Sequence, residues 1–369
     1  MEEVIKKLLY CIRMMNLIKQ FSSIGNSDYK KRIISRYIFV YIDSFLELAP
    51  IIKNNINECL RSKNKSKSKF TDSNITEVEK KIRDLTIEYN SFYSIIRDKV
   101  SAHRKDLSIV ELCEVWNEID VTALDYYISE VLDIYNLLHS LEVNEIPKYT
   151  DFHPVYQNIS NFPDNINYKF SSDNLALTRT KTIALVPSNE LQKRVSQINS
   201  IIDTIQYIDS LYTMVCHNSD LERLIKSMLI MDILNLLENI YPHSPKKPEY
   251  KIDSLFEILK KSNGKSFKIL TDFETKRNYE LEKKITNVRN IICAHIDKNK
   301  NTLEECLGLL DTTTLEELNQ IYSQTFNAFE KSCKEDIILK RFLNIEQQIL
   351  DNNNIVDIQN TLLIKDFQK

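Results

Sequence analysis

The chain has 369 residues, 43% of them hydrophobic and 27% charged, which suits two ordinary domain cores and not a disordered chain. Its three glycines, Gly25, Gly264 and Gly308, cannot write a Gly-rich phosphate loop or a dinucleotide fingerprint, so the nucleotide-fuelled enzymes built on those motifs are excluded. A net charge of −3 gives no global basic field, so any nucleic acid must be drawn in by local patches.

In chain order, Met1 to Met15 contains acidic residues and lacks the apolar core of a signal peptide. Asn26-Ser27-Asp28 offers a helix N-cap, because its short side chains can bond the free amides of a first turn. The run after it, Ile34, Tyr37, Ile38, Tyr41 and Phe45, has helical period. Arg61 to Lys69, RSKNKSKSK, is basic and free of apolar side chains, which predicts a solvated loop. Ile82, Leu85, Tyr89, Tyr93, Ile96 and Val100 follow at spacings of three and four and share one helical face. A closing helix is predicted over roughly 121–141.

Residues 144 to 190 hold four of the eight prolines and read as a connector. Within it, Tyr168 to Val186 alternates in a way that suits a β-hairpin. Leu281, Ile285, Val288 and Ile292 then form a second stripe, and a second closing helix is predicted from about Thr313 to Cys333. The chain after about Glu335 reads as one or two further helices. No uninterrupted apolar stretch is long enough for a membrane span. Seven cysteines, with no Cys-x-x-Cys pair, suit a reducing compartment better than disulfides or a zinc knot. A cytoplasmic protein that does not enter a membrane is expected.

The second half repeats the first. Arg97-Asp98-Lys-Val-Ser-Ala102-His103 recurs as Arg289-Asn290-Ile-Ile-Cys-Ala294-His295, an offset of 192 residues. Asn26-Ser27-Asp28 matches Asn218-Ser219-Asp220 at the same offset. With one residue of slippage, Arg32-Ile33-Ile34 aligns with Arg223-Leu224-Ile225 and Leu46-Glu47 with Leu237-Glu238. Asp120-Val-Thr matches Asp311-Thr-Thr. Landmarks that stay in register over a whole half point to duplication of one helical unit. The expected organisation is a first helical domain over 1–143, a connector over 144–195, a second helical domain over 196–334 and a C-terminal helical extension over 335–369.

An arginine, a polar residue and then a histidine after five intervening residues, at the end of a helix, resembles the signature of the HEPN superfamily. Both copies match it, with Asp98 as the polar residue in one and Asn290 in the other. The wording around Arg97 is most like bacterial abortive-infection and toxin members. The resemblance implies an all-α fold of two HEPN-like bundles related by pseudo-two-fold symmetry, with both Arg/His pairs lining one cleft. That pairing would be made within one chain or between the chains of a homodimer.

Such a cleft would cleave RNA, transfer or messenger, without a metal or other cofactor, leaving 2′,3′-cyclic phosphate and 5′-hydroxyl ends. Histidine suits proton transfer near neutral pH, its ordinary pKa being about 6.5, so His103 and His295 are assigned to it. Arg97 and Arg289 would grip phosphate oxygens. Asp98 and Asn290 would orient their neighbours, the carboxylate favouring a protonated one. Arg104 and Lys105, beyond His103, and Lys298 and Lys300, beyond His295, are candidate RNA-backbone contacts. On an ideal helix Arg97 and His103 stand roughly 120° apart, with the apolar stripe between them.

None of the six histidines has an acidic residue three positions earlier, and no His-x-x-x-His pair exists, so no metal site is expected. The implied setting is phage defence or a toxin pair, with an antitoxin, trigger or other regulatory protein to restrain it. The alternative is a non-catalytic helical module that binds nucleic acid, a nucleotide or a partner protein.

Overall fold

The computed structural model describes residues 2–23, 28–63, 72–101, 115, 117–141, 190–212, 219–242, 254–261, 264–294, 296–297 and 301–335. Among them the chain is all-helical and contains no strand. The segment expected to form a β-hairpin, 168–186, and the extension beyond 335 lie outside the described residues.

The first half comprises α1 (Glu2–Ser22), α2 (Asp28–Ser35), α3 (Ile38–Lys63), α4 (Asp72–Glu88) and, after the motif, α5 (Leu124–Ser140). α4 does not end at Glu88. It runs on through a π-helical turn (Tyr89–Tyr93), one α turn (Ser94–Ile96) and a second π turn (Arg97–Ser101). The second half comprises α6 (Glu190–Tyr212), α7 (Ser219–Ile240), α8 (Leu255–Lys260), α9 (Lys265–Glu274), α10 (Tyr279–Val288) with a π turn (Arg289–Cys293), α11 (Leu303–Asp311) and α12 (Leu315–Glu335). Where the sequence suggested one helical run from Ile34 to Phe45, the chain tightens at Arg36–Tyr37 and starts again as α3. The amides of Tyr37 and Val40 there bond three residues back, at 3.2 and 3.1 Å. Of the basic run, Arg61 to Lys63 continue α3 and the rest lies outside the described residues.

The two central helices explain the architecture. α7 is apolar on nearly every side: from Leu224 to Leu237 each residue is buried, as expected of a helix surrounded by others. In α3 the run Ile38 to Ile42 is buried without interruption, and Phe45, Leu48, Ala49 and Ile52 are buried beyond it. α6 lies along α7 and α1 along α3, while α12 covers α7 and α9. α1 also reaches α7 and α11. The buried apolar side chains of the two halves therefore form one contiguous core.

Polar interruptions in these apolar helices sit where the halves meet. Asp232 and Asn235 on α7 are buried. Asp232 Oδ2 accepts from Arg36 Nη2 at 2.6 Å and from the Tyr37 hydroxyl at 2.7 Å, and the Arg36 guanidinium stacks over the Tyr37 ring at 4.4 Å. Both members of the ion pair are wholly removed from solvent. The tightened turn before α3 thus delivers a buried cation to a buried anion 196 residues away in sequence. On the rim, Arg13 of α1 pairs with Asp220 at the start of α7.

Candidate functional site

Both arginine motifs sit at the carboxyl end of a long helix, and in both the arginine begins a five-residue π turn, Arg97–Ser101 and Arg289–Cys293. In a π turn the amide bonds the carbonyl five residues back, and Ala294 N–H does so to Arg289 O at 2.8 Å. Such turns are rare and gather at functional sites. The 120° separation expected of Arg97 and His103 assumes a regular helical period, from which the turn Arg97–Ser101 departs; His103 itself lies outside the described residues.

Each arginine is held by a carboxylate from its own half's central helix. Arg97 Nε lies 3.2 Å from Asp43 Oδ2 on α3, and Arg97 Nη1 donates to Asp98 Oδ1 at 3.0 Å. Arg289 Nη1 donates to Glu238 Oε1 on α7 at 2.7 Å, and its Nε reaches Asn290 Oδ1 at 3.4 Å. In each motif the polar residue after the arginine contacts its guanidinium. The environments differ: Arg97 is flanked by two carboxylates, Arg289 by one carboxylate and an amide. Tyr89, one helical stretch earlier, donates its hydroxyl to Phe39 O at 3.2 Å. Burial, and then the nearby Asp43 charge, push the Tyr89 phenol far above its usual range, so it keeps its proton.

The exits of the two turns are tied to the opposite half. The Ser101 carbonyl accepts from Asn235 Nδ2 of α7 at 3.3 Å, while within its own half the Ser101 hydroxyl donates to Arg36 O at 2.9 Å. In return, Ile296 N–H, just past His295, donates to Ser44 Oγ of α3 at 3.3 Å. Lys7 of α1 then clamps the following bend, donating from Nζ to Asp297 O at 2.5 Å and Asn301 O at 2.6 Å. Glu3 accepts from the amide of Leu303, the first residue of α11.

His103 and His295 lie outside the described residues, as do Arg104, Lys105, Lys298 and Lys300. The described part of the site is its cation half, Arg97, Asp98, Arg289 and Asn290, with the scaffold beneath. Beside Arg289, a cavity of about 270 Å³ opens between α7 and α10, lined by Leu237, Glu238, Arg277, Tyr279 and Glu282 among others. Arg277 crosses it between the Tyr241 and Tyr279 rings, at 4.7 and 4.8 Å, and forks onto Glu282 at 2.9 and 2.6 Å. Among the described residues no group of three or more His, Cys, Asp and Glu side chains is placed to hold a metal ion.

Sequence reasoning did not assign Asp43, Asn235, Ser44 or Lys7 to the site. Glu238 was visible only as a landmark of the repeat, with Glu47 as its counterpart. The alignment of the two halves does not point to Asp43, the carboxylate of α3 that lies 3.2 Å from Arg97 Nε.

Cys293, inside the second motif, is buried. Burial pushes its thiol up to about 12, and the hydrogen bond with Ser227 and the Arg289 charge offset only part of that. A thiol so protonated is no nucleophile. Iodoacetamide at about pH 8, near the ordinary thiol pKa, should leave Cys293 unlabelled in the native protein and label it after unfolding in urea, as read by peptide mass spectrometry. Fast native labelling would show an accessible, ionised thiol.

No family model, no curated protein and no solved structure matches this chain. No described helix is long and apolar enough to cross a membrane.

Proposed function

We propose that the chain is a metal-independent endoribonuclease of the HEPN kind, with two tandem copies in one chain contributing to a composite site. The observation that carries this reading is the reciprocal exchange at the motifs. Both arginines start the same rare turn at the same offset of 192 residues, and each turn's exit is held by the other half's central helix. A duplicated unit folded face to face has reason to do this, whereas two independent bundles on a string do not.

In the reaction, the ribose 2′-oxygen bonds to the adjacent phosphorus and the bond from phosphorus to the 5′-oxygen breaks. One of His103 and His295 takes the 2′-hydroxyl proton and the other delivers a proton to the departing 5′-oxygen. Arg97 and Arg289 neutralise the charge that builds on the phosphoryl oxygens. The products are a 2′,3′-cyclic phosphate and a 5′-hydroxyl. A role in phage defence, or as a toxin restrained by a partner protein, follows from the resemblance.

A second reading, a non-catalytic helical module, draws on the burial of Arg289 and its pairing with Glu238, which a purely structural arginine would share. The test that separates the two is incubation of the whole chain with total RNA and with transfer RNA in excess EDTA, followed by end-group analysis. The ribonuclease reading expects cleavage with cyclic-phosphate ends. Cleavage that stops on chelation would sink the metal-free mechanism, and no cleavage of any RNA would leave the binding module.

A further inference from the structure

We propose that an exposed aromatic face on the first half is a docking surface for a basic, apolar-anchored segment of another protein. The face comprises Phe92 and Ile95, at the end of the α4 stretch, with Tyr126 on α5, and these are 64%, 46% and 47% exposed. Ile87 adds a further exposed apolar side chain at its edge.

The second half supplies an internal control. At the motif-helix offset of 192 residues, Phe92 corresponds to Lys284 and Ile95 to Asn287; at the closing-helix offset of 191, set by the helix starts Leu124 and Leu315, Tyr126 corresponds to Glu317. Lys284 and Glu317 make an ion pair at 2.6 Å, the ordinary way to solvate a helix–helix surface. The first half carries two aromatic rings at these positions and an isoleucine where the second has an asparagine. Exposing large apolar side chains in a contiguous patch is costly unless something covers them.

The aromatic face is also rigidly built. Tyr93 stacks on Phe39 with ring centroids 5.1 Å apart and meets Tyr127 edge-on at 4.9 Å, while Phe92 leans on Tyr93 at 6.3 Å and Tyr126 on Tyr127 at 5.7 Å. Glu88 accepts from the Tyr93 and Tyr126 hydroxyls at 3.2 and 3.1 Å. Fixed aromatic anchors with little rotamer freedom to lose suit binding.

Charge selects the occupant. Residues 84–96 and 124–138, which carry this face, include Asp84, Glu88, Asp125, Glu130 and Asp133 and neither lysine nor arginine. Lys81 and Lys19 reach in from elsewhere to Asp133 and Asp125, and Arg83 pairs with Asp84, so the excess negative charge of the face comes from Glu88 and Glu130. The matching stretch 276–288 of the second half holds Lys276, Arg277, Lys283 and Lys284 against Glu280 and Glu282. A phosphate backbone would be repelled by the first face, and so would a second copy of the same acidic face. A protein segment with lysines or arginines around apolar anchors is complementary on both counts.

The proposal can be tested with the full chain and a fluorescein-labelled synthetic amphipathic helix bearing leucines and a tryptophan on one face and lysines and arginines on the other. An acidic twin, with glutamates for the basic residues, and a labelled single-stranded RNA serve as competitors of different chemistry. Phe92→Lys/Tyr126→Glu installs the second half's ion pair without changing net charge, and Ile95→Asn is an independent variant. Melting curves followed by circular dichroism identify any variant that fails to fold. The basic helix should bind the wild type and lose about thirtyfold in affinity to the double variant, the scale of losing hot-spot aromatic anchors, with a smaller loss for Ile95→Asn. The acidic twin should bind no better to the wild type than to the variants. Equal binding of the basic helix by wild type and both variants would overturn the proposal. So would RNA binding, or self-association by sedimentation, that the double variant abolishes, since either would assign the face to a different occupant.

Discussion

Replacing either His103 or His295 by alanine is expected to lower RNA cleavage by about 10²–10⁴-fold, the usual contribution of a positioned proton donor or acceptor. The reasoning is that one phosphodiester cleavage needs a base at the 2′-oxygen and an acid at the 5′-oxygen, and the chain holds one motif histidine in each half. If the site is composite, the two single variants fall together and the double variant is scarcely worse than either, because groups that act as a unit are not additive. Arg97→Ala and Arg289→Ala should fall as well. Arg97→Lys and Arg289→Lys should recover little, because the fork held against Asp43 and Asp98, or Glu238 and Asn290, cannot be reproduced by a point charge. The measurement is single-turnover cleavage of a defined RNA in EDTA. Should one histidine variant retain full activity while the other loses it, the halves work separately and the composite site is wrong. Full activity in both would remove the motif from the chemistry.

The second large effect concerns the joint between the halves. Asp232→Ala should destabilise the protein by about 3–5 kcal/mol, the cost of leaving a buried charge without its partner. Here the group that loses its carboxylate is Arg36, fully buried against Tyr37 and Asp232. Replacing both partners together, Arg36→Met with Asp232→Leu, should recover much of that loss, since it removes the charges along with the bond. Urea unfolding of the three variants checks this. A loss below about 1 kcal/mol for Asp232→Ala, the range of a surface pair, would show that the joint is hydrated and weak. Because Arg36 O also receives the Ser101 hydroxyl, the same variant should disturb the exit of the first motif. Its activity should therefore fall under conditions in which it remains folded.

The helical class was legible in the sequence because apolar spacings of three and four mark a buried helix face without reference to anything distant. Leu281, Ile285, Val288 and Ile292 are all buried, as that spacing requires. The closing helices, expected over 121–141 and 313–333, begin at Leu124 and Leu315 after a short 3₁₀ turn in one case and a threonine-rich start in the other. The matched landmarks at an offset of 192 residues were legible as well, since an offset is read along the chain without reference to tertiary structure. Periodicity did not reveal the break at Arg36–Tyr37, as Ile34, Tyr37, Ile38 and Tyr41 fit one stripe whether or not the helix is interrupted there.

Arg97-Asp98 and Arg289-Asn290 were recognisable as matched motifs from sequence alone, and the proposal that His103 and His295 carry protons rests on sequence too. What holds those residues came only from tertiary structure. Asp43 against Arg97, Glu238 against Arg289, Asn235 against Ser101 and Ser44 against Ile296 are contacts between segments 51 to 252 residues apart. No local pattern encodes such pairings, because they depend on which helix lies against which. The π turns belong to the same class: they shift every later side chain around the helix, and a pattern assuming a regular helical period passes over them. The sequence named the chemical groups, and the packing of two apolar central helices decided which carboxylate each arginine meets.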